Sequence, residues 1–147
     1  MPKPVPKPVT PEELPELALA VLKADRFPIL ASVDGDQPRA RPITATWTDG
    51  FTVYFANLKR FHKTVELAAN PKVELCFLSP SDDQVRITGI AELVTDDATQ
   101  QEAFRRDNLL KHYLKSPDNP EFALYRIRPV QVRFMREWAL EYFDVPL

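Results

Sequence analysis

Past a proline-punctuated opening, the hydrophobic positions follow two periods in turn. Leu14, Leu17, Ala18, Val21 and Leu22 recur at helical spacing, the signature of one apolar helix face. Thr10-Pro11-Glu12-Glu13 just before them reads as a capping box with proline at the first helical position. A helix is therefore expected from Thr10 to about Asp25. From Phe27 the period changes to two: Ile29, Ala31 and Val33 share one face of a strand over residues 27–34, ended by the hairpin signal Asp34-Gly35-Asp36. Residues 37–47 read as the return strand. Pro42 inside it predicts an edge, a bulge or an opening of the ladder. Asp49-Gly50 is a second hairpin signal, followed by a strand over 51–56. A short helix is expected over about 60–69, closed by Asn70-Pro71, then strands over 73–78 and 85–94. Residues 96–114 read as one longer helix, acidic at its start and basic at its end, as the helix dipole favours. Residues 122–135 close the pattern as one or two strands around Pro129.

Hairpin-linked strands make a mostly antiparallel sheet. About six of them with peripheral helices predict an α+β, mainly β domain built as a small barrel. The domain is expected over 10–147, preceded by an arm over 1–9. Six of the 15 prolines fall in the first 15 residues, which favours polyproline II there. That arm is read as a loosely packed tail, with a ligand for a partner groove as the alternative.

Composition narrows the function. The 147 residues are 44% hydrophobic and 27% charged, a globular mix, and the net charge of −2 offers no phosphate-coating surface for nucleic acid. Cys76 is alone and the two histidines lie 50 residues apart, which excludes an internal disulfide and any local thiolate or histidine metal motif. No apolar run is long enough to span a membrane and the N-terminus lacks an apolar signal core, so a cytoplasmic protein is expected. Glycine-rich nucleotide motifs, a nucleophile elbow and His-Glu-x-x-His are all missing.

Two basic segments remain. Lys59, Arg60, His62 and Lys63 crowd the step from a strand into a helix, where cations oppose the dipole unless an anion lies between them. Arg39 and Arg41 share one face of their strand, and arginine grips phosphate bidentately. Taken singly, each segment also reads as solvated surface charge. Cys76 and Gly89 read as a semi-buried apolar group and a barrel bulge, and His112 as a surface histidine.

Four blocks, in order, resemble the FMN-binding split-barrel family related to pyridoxamine 5′-phosphate oxidase. They are residues 35–43; Ala56-Asn57 with His62-Lys63 and residues 70–77; residues 84–92; and residues 125–132. The resemblance implies a split β-barrel and a homodimer with FMN at the subunit interface. It implies that Arg41 opens the cofactor strand, and that Pro42, Ile43, Thr44 and Thr46 run along the isoalloxazine. Ala56, Asn57 and Gln84 would contact the cofactor. Arg41, His62 and Lys63, with Arg60 beside them, would hold its phosphate. The chain departs from the family where His62 replaces an arginine, Asn57 a threonine or serine, and Met135 a tryptophan, with Trp138 three residues on. Its C-terminus lacks the arginine- and histidine-bearing segment that takes vitamin B6, so that oxidation is not expected. The expected function is an FMN-dependent oxidoreductase acting on a small molecule. The alternatives are a reductase using the deazaflavin F420, a non-catalytic flavin or haem binder, and a cofactor-free interaction protein.

Overall fold

The computed structural model describes all 147 residues except Pro4, Pro6 and Trp138. Helix α1 spans Leu14–Ala24 and buries Leu14, Ala18, Val21 and Leu22, the stripe expected. It starts later than Thr10. The capping contact is present, with Glu13 N–H donating to Thr10 Oγ1 at 3.4 Å, but it closes a turn. Pro15 has no N–H to donate to the Pro11 carbonyl, so the regular ladder begins with Leu17 N–H to Glu13 O at 3.0 Å.

The strands are β1 (Ile29–Asp34), β2 (Gln37–Pro42), β3 (Trp47–Asp49), β4 (Thr52–Leu58), β5 (Lys72–Leu78), β6 (Gln84–Leu93), β7 (Phe122–Met135) and β8 (Phe143–Val145). Their pairings are antiparallel, in the order β2-β1-β5-β6-β7-β4-β3, with β8 added against β7. The outermost strands of this path, β2 and β3, are consecutive in the chain yet unpaired, so the barrel is split between them. The expected single strand over 37–47 is therefore broken. Pro42 ends β2, and residues 43–46 cross the gap. Ile43 and Ala45 donate to the Pro28 and Arg26 carbonyls at 2.9 and 3.0 Å, and Thr46 N–H to Tyr54 O at 2.9 Å. The hairpin turns form as expected, with Gly35 and Gly50 at φ 66 and 57, values that glycine adopts without a Cβ clash.

Side-chain parity differs from expectation in β1. Leu30 and Ser32 are the buried positions, whereas Ile29 is 41% exposed. Strand alternation fixes which residues share a face, not which face is inside. In β4, Val53 and Phe55 fill the barrel core with Leu30, Leu75, Ile87 and Phe134, while Tyr54 joins a second cluster with Phe104, Leu110, Leu114 and Leu124. That second cluster seats the remaining helices on the outside of the β4–β7 pair.

Those helices are α3 (Asp97–Arg106) and α4 (Asn108–Leu114), not one helix. Asp107 breaks the run with extended backbone and accepts Leu109 N–H at 2.9 Å. An aspartate side chain competes with the helix ladder and favours a cap. Residues 122–135 form one strand through Pro129. Opposite it, the β6–β7 register shifts between Thr88 and Gly89: Thr88 faces Gln131 and Gly89 faces Pro129, so the bulge expected at Gly89 is at this step but its extra residue is Val130, on β7. Strand β8, from the tail, was not anticipated.

A Cβ at Gly89 would lie 2.6 Å from Ile127 Cγ2 and 2.9 Å from the Arg128 carbonyl oxygen. Gly89→Ala is expected to cost about 1–3 kcal/mol through overpacking. Urea unfolding checks this; an unchanged midpoint would remove the tight approach from the account.

Candidate functional site at the barrel split

Helix α2 (His62–Ala69) lies beside the split and is fastened on both sides. Toward β1 and β2, Arg41 pairs with Glu66 at 2.5 Å, Arg41 Nη1 donates to Ser32 Oγ at 2.7 Å, and Ser32 Oγ donates to Glu66 at 2.6 Å. Toward β4, Asn57 Nδ2 donates to Thr64 Oγ1 at 3.0 Å. Glu66 is buried. Burial would raise its carboxyl, but hydrogen bonds from Ser32 and Arg41 and the guanidinium charge outweigh that and hold it below its ordinary value.

The start of α2 is electrostatically incomplete. No side chain caps it and its first turn holds no acid. His62 and Lys63 stand there instead. His62 pairs with Asp34 at 3.2 Å. Lys63 is half-buried and, among the described residues, has no ion-pair partner; its ammonium lies 5.5 Å from the Phe55 ring. Burial, and then the Arg41 charge, push the Lys63 amine below its ordinary value. A desolvated ammonium next to uncapped amide groups is a site for an anion. Asp34, His62 and Glu66 gather donor atoms within 4.8 Å, but the Arg41 guanidinium already sits on Glu66, so this cluster is an ion-pair network.

Lys63 faces a cavity of about 520 Å³, within the usual range for small-molecule pockets. One wall is the crossing segment with Pro42, Ile43, Thr44 and Thr46. The floor is Ala56 and Asn57 of β4, and the turn into α2 adds Arg60 and Phe61. Eight of the eleven residues picked from the sequence therefore converge: Pro42, Ile43, Thr44, Thr46, Ala56, Asn57, Arg60 and Lys63. Arg41, His62 and Gln84 are not brought to the lining. Arg41 and His62 are turned to Glu66 and Asp34. Gln84 opens β6 and accepts the Tyr142 hydroxyl at 2.6 Å. Trp138 lies outside the described residues.

The opposite wall was missed. It is made by Asp107, Leu109, Leu110, Tyr113 and Leu114, with Asn119 and Glu121 at the rim. The signal was the Asp107-Asn108 step, which splits the helix and turns Leu110 toward the sheet. Asp107 also accepts the Thr46 hydroxyl at 3.1 Å, tying this wall to the crossing segment.

A half-buried ammonium without an ion-pair partner among the described residues, at one end, and apolar walls from Ile43, Ala56 and Leu110 suit a planar aromatic ligand bearing a phosphate. On these grounds the residues present fit FMN.

A split antiparallel barrel with its cavity at the split defines a class of fold, and proteins of known structure share it. A candidate pyridoxamine 5′-phosphate oxidase from Listeria innocua is 33% identical with a TM-score of 0.73, over 83% of this chain and 98% of its own. By sequence, General stress protein 26 of Bacillus subtilis is also similar, 24% identical over 128 residues, 84% of this chain and 89% of the relative. Two more distant structures share the fold. An FMN-binding protein from Nostoc punctiforme has 18% identity and a TM-score of 0.66, over 94% of this chain and 91% of its own. A heme-binding protein from Mycobacterium smegmatis has 19% and 0.75, over 95% of this chain and 59% of its own. The pyridoxamine 5′-phosphate oxidase family matches residues 14–136, and the chain belongs to it.

Arg41→Ala is expected to lower stability by about 3 kcal/mol, because it strands a buried carboxylate. Glu66 has a depressed folded-state value, so the pair's contribution is present above the ordinary carboxylate range and is lost as pH falls through the folded value. The gap between wild type and Arg41→Ala should shrink below pH about 4. Denaturant unfolding at several pH values measures it; a constant gap would remove Glu66 from the account.

Proposed function

We propose that this chain is an FMN-binding flavoprotein of the family and a flavin-dependent oxidoreductase acting on a small molecule. The observation that carries this reading is Lys63: a half-buried ammonium without an ion-pair partner among the described residues, at the uncapped start of α2, facing the cavity. A phosphate there would neutralise the ammonium and meet the free amide groups together. Arg60, exposed beside it, adds a second cation. Ile43 and Ala45 spend their N–H groups on Pro28 and Arg26. The Thr44 N–H between them is then left to point the other way, where it would meet the ring system. The Asn57 amide lies on the same floor. The apolar wall of Leu110 and Leu114 excludes water from the ring. Bound FMN supplies hydride or electron transfer.

The reading includes a homodimer. Phe27 and Leu78 are 54% and 51% exposed. Ile29 stands outward opposite Cys76 and Pro42, and Pro42 lines the cavity. A second copy over this apolar patch would cover it at the edge of the site. It would also be the means of bringing a Gln84 to the cofactor, since the chain's own Gln84 is not at the cavity. No helix among the described residues is long and apolar enough to cross a membrane.

The first test is the absorption spectrum of the purified protein, before and after loading with FMN and washing. Retained flavin bands are expected. In fluorescence titrations Lys63→Ala should weaken FMN about ten- to a hundredfold, as for a charged hydrogen bond, and riboflavin much less. Retention of the deazaflavin F420 in preference to FMN, a haem Soret band, or no retained chromophore would overturn the FMN assignment.

A further inference from the structure

A half-buried amine that opens on a cavity and has no counter-ion can do more than bind an anion. Among the described lining residues, Lys63 is the one primary amine, and Ile43, Leu110 and Leu114 give the space beside it apolar walls. Burial and the Arg41 charge both favour the neutral amine over the ammonium. Glu66 pulls the other way, but its carboxylate is bound to the Arg41 guanidinium. A lysine desolvated in an apolar pocket beside a second cation is the arrangement that turns an ammonium into a nucleophile. The same lining holds Arg60, which is exposed. Its Nη1 atom lies 3.9 Å from Glu121, beyond hydrogen-bond length, so the guanidinium is available to an anionic group.

We infer that Lys63 is a carbonyl-reactive site, whose amine adds to an aldehyde with an apolar body in the cavity and an anionic end on Arg60. The nitrogen lone pair forms a bond to the carbonyl carbon, and the carbonyl π pair moves to oxygen. A proton passes from nitrogen to that oxygen, giving a carbinolamine. Loss of water then leaves an imine, with nothing oxidised or reduced. The reaction belongs to the cavity without a phosphate in it, and it does not rest on the FMN reading. A phosphate beside Lys63 favours the charged form and silences the nucleophile, so anion binding and imine formation exclude each other at this one amine.

The test treats the full-length protein with para-formylbenzoate and cyanoborohydride, which delivers hydride to the imine carbon and fixes the adduct as a secondary amine. Peptide mass spectrometry locates the label and follows its rate. Lys59, exposed one strand end away, serves as the internal reference. Lys63 is expected to be labelled about tenfold faster than Lys59. Relative to Lys59, para-formylbenzoate should label Lys63 faster than benzaldehyde does, and Arg60→Ala should remove that preference. Inorganic phosphate and FMN, added separately, should protect Lys63 and leave Lys59 labelled, a comparison that needs no variant to fold. The assignment is overturned if Lys63 is labelled no faster than Lys59, or if neither phosphate nor FMN protects it. Equal relative rates for the two aldehydes overturn the anionic end. If inorganic phosphate protects Lys63 but the protein retains no FMN, the carbonyl site stands and the FMN reading fails.

Discussion

The fold depends on how an open sheet is held at its opening. An antiparallel barrel that fails to pair its first and last strands exposes two edges, and the polar groups there need partners. Here the half-buried Arg41 and the buried Glu66, with Ser32 Oγ between the two, supply the clasp from β1 and β2 to α2. The Asn57–Thr64 bond fastens the other side. Residues 43–46 run across the same opening, bonded through Ile43 and Ala45 to the segment ahead of β1 and through Thr46 to β4. The split is thus a built feature, spanned by one helix and one extended segment, and the cavity lies where the two approach each other.

That arrangement also decides the charge of the site. Arg41, Glu66, Asp34 and His62 satisfy one another behind the first turn of α2, leaving Lys63 as the half-buried cation of that turn with no ion-pair partner among the described residues. The Arg41 charge depresses Lys63 further, so the clasp and the anion site are electrostatically linked although Arg41 does not line the cavity. A residue assigned from sequence to hold phosphate has a structural role in this chain: it holds the helix that presents the neighbouring lysine.

The strands were legible because their signals are local. Asp-Gly steps set the two hairpins, Pro42 marked the end of an edge strand, and Gly89 marked the bulge. The inner and outer faces of β1 were not legible, because Ile29, Ala31 and Val33 form as plausible an apolar face as Leu30 with Ser32. Tertiary contacts decide between them: Leu30 enters the barrel core and Ser32 meets the Arg41–Glu66 pair. Among site residues, those on the crossing segment and around the start of α2 were found because chain order places them together. The α4 wall was not found, since it meets the cavity only after Asp107 breaks a helix that periodicity alone reads as continuous. The short β8 lay in a tail whose partner, the far end of β7, is set by tertiary packing.

Asp107 shows why that missed wall belongs to the site. Its two carboxylate oxygens serve different masters: Oδ1 caps α4, and Oδ2 takes the hydroxyl of Thr46 on the crossing segment. One buried side chain therefore sets both the angle at which Leu110 and Leu114 meet the sheet and the position of the segment opposite. The two walls cannot be altered independently: whatever shifts the α3–α4 break also shifts the backbone proposed to face the ring. Through α4, the second hydrophobic cluster outside β4 also bears on the width of the cavity, and the geometry of the site rests on packing well beyond its lining.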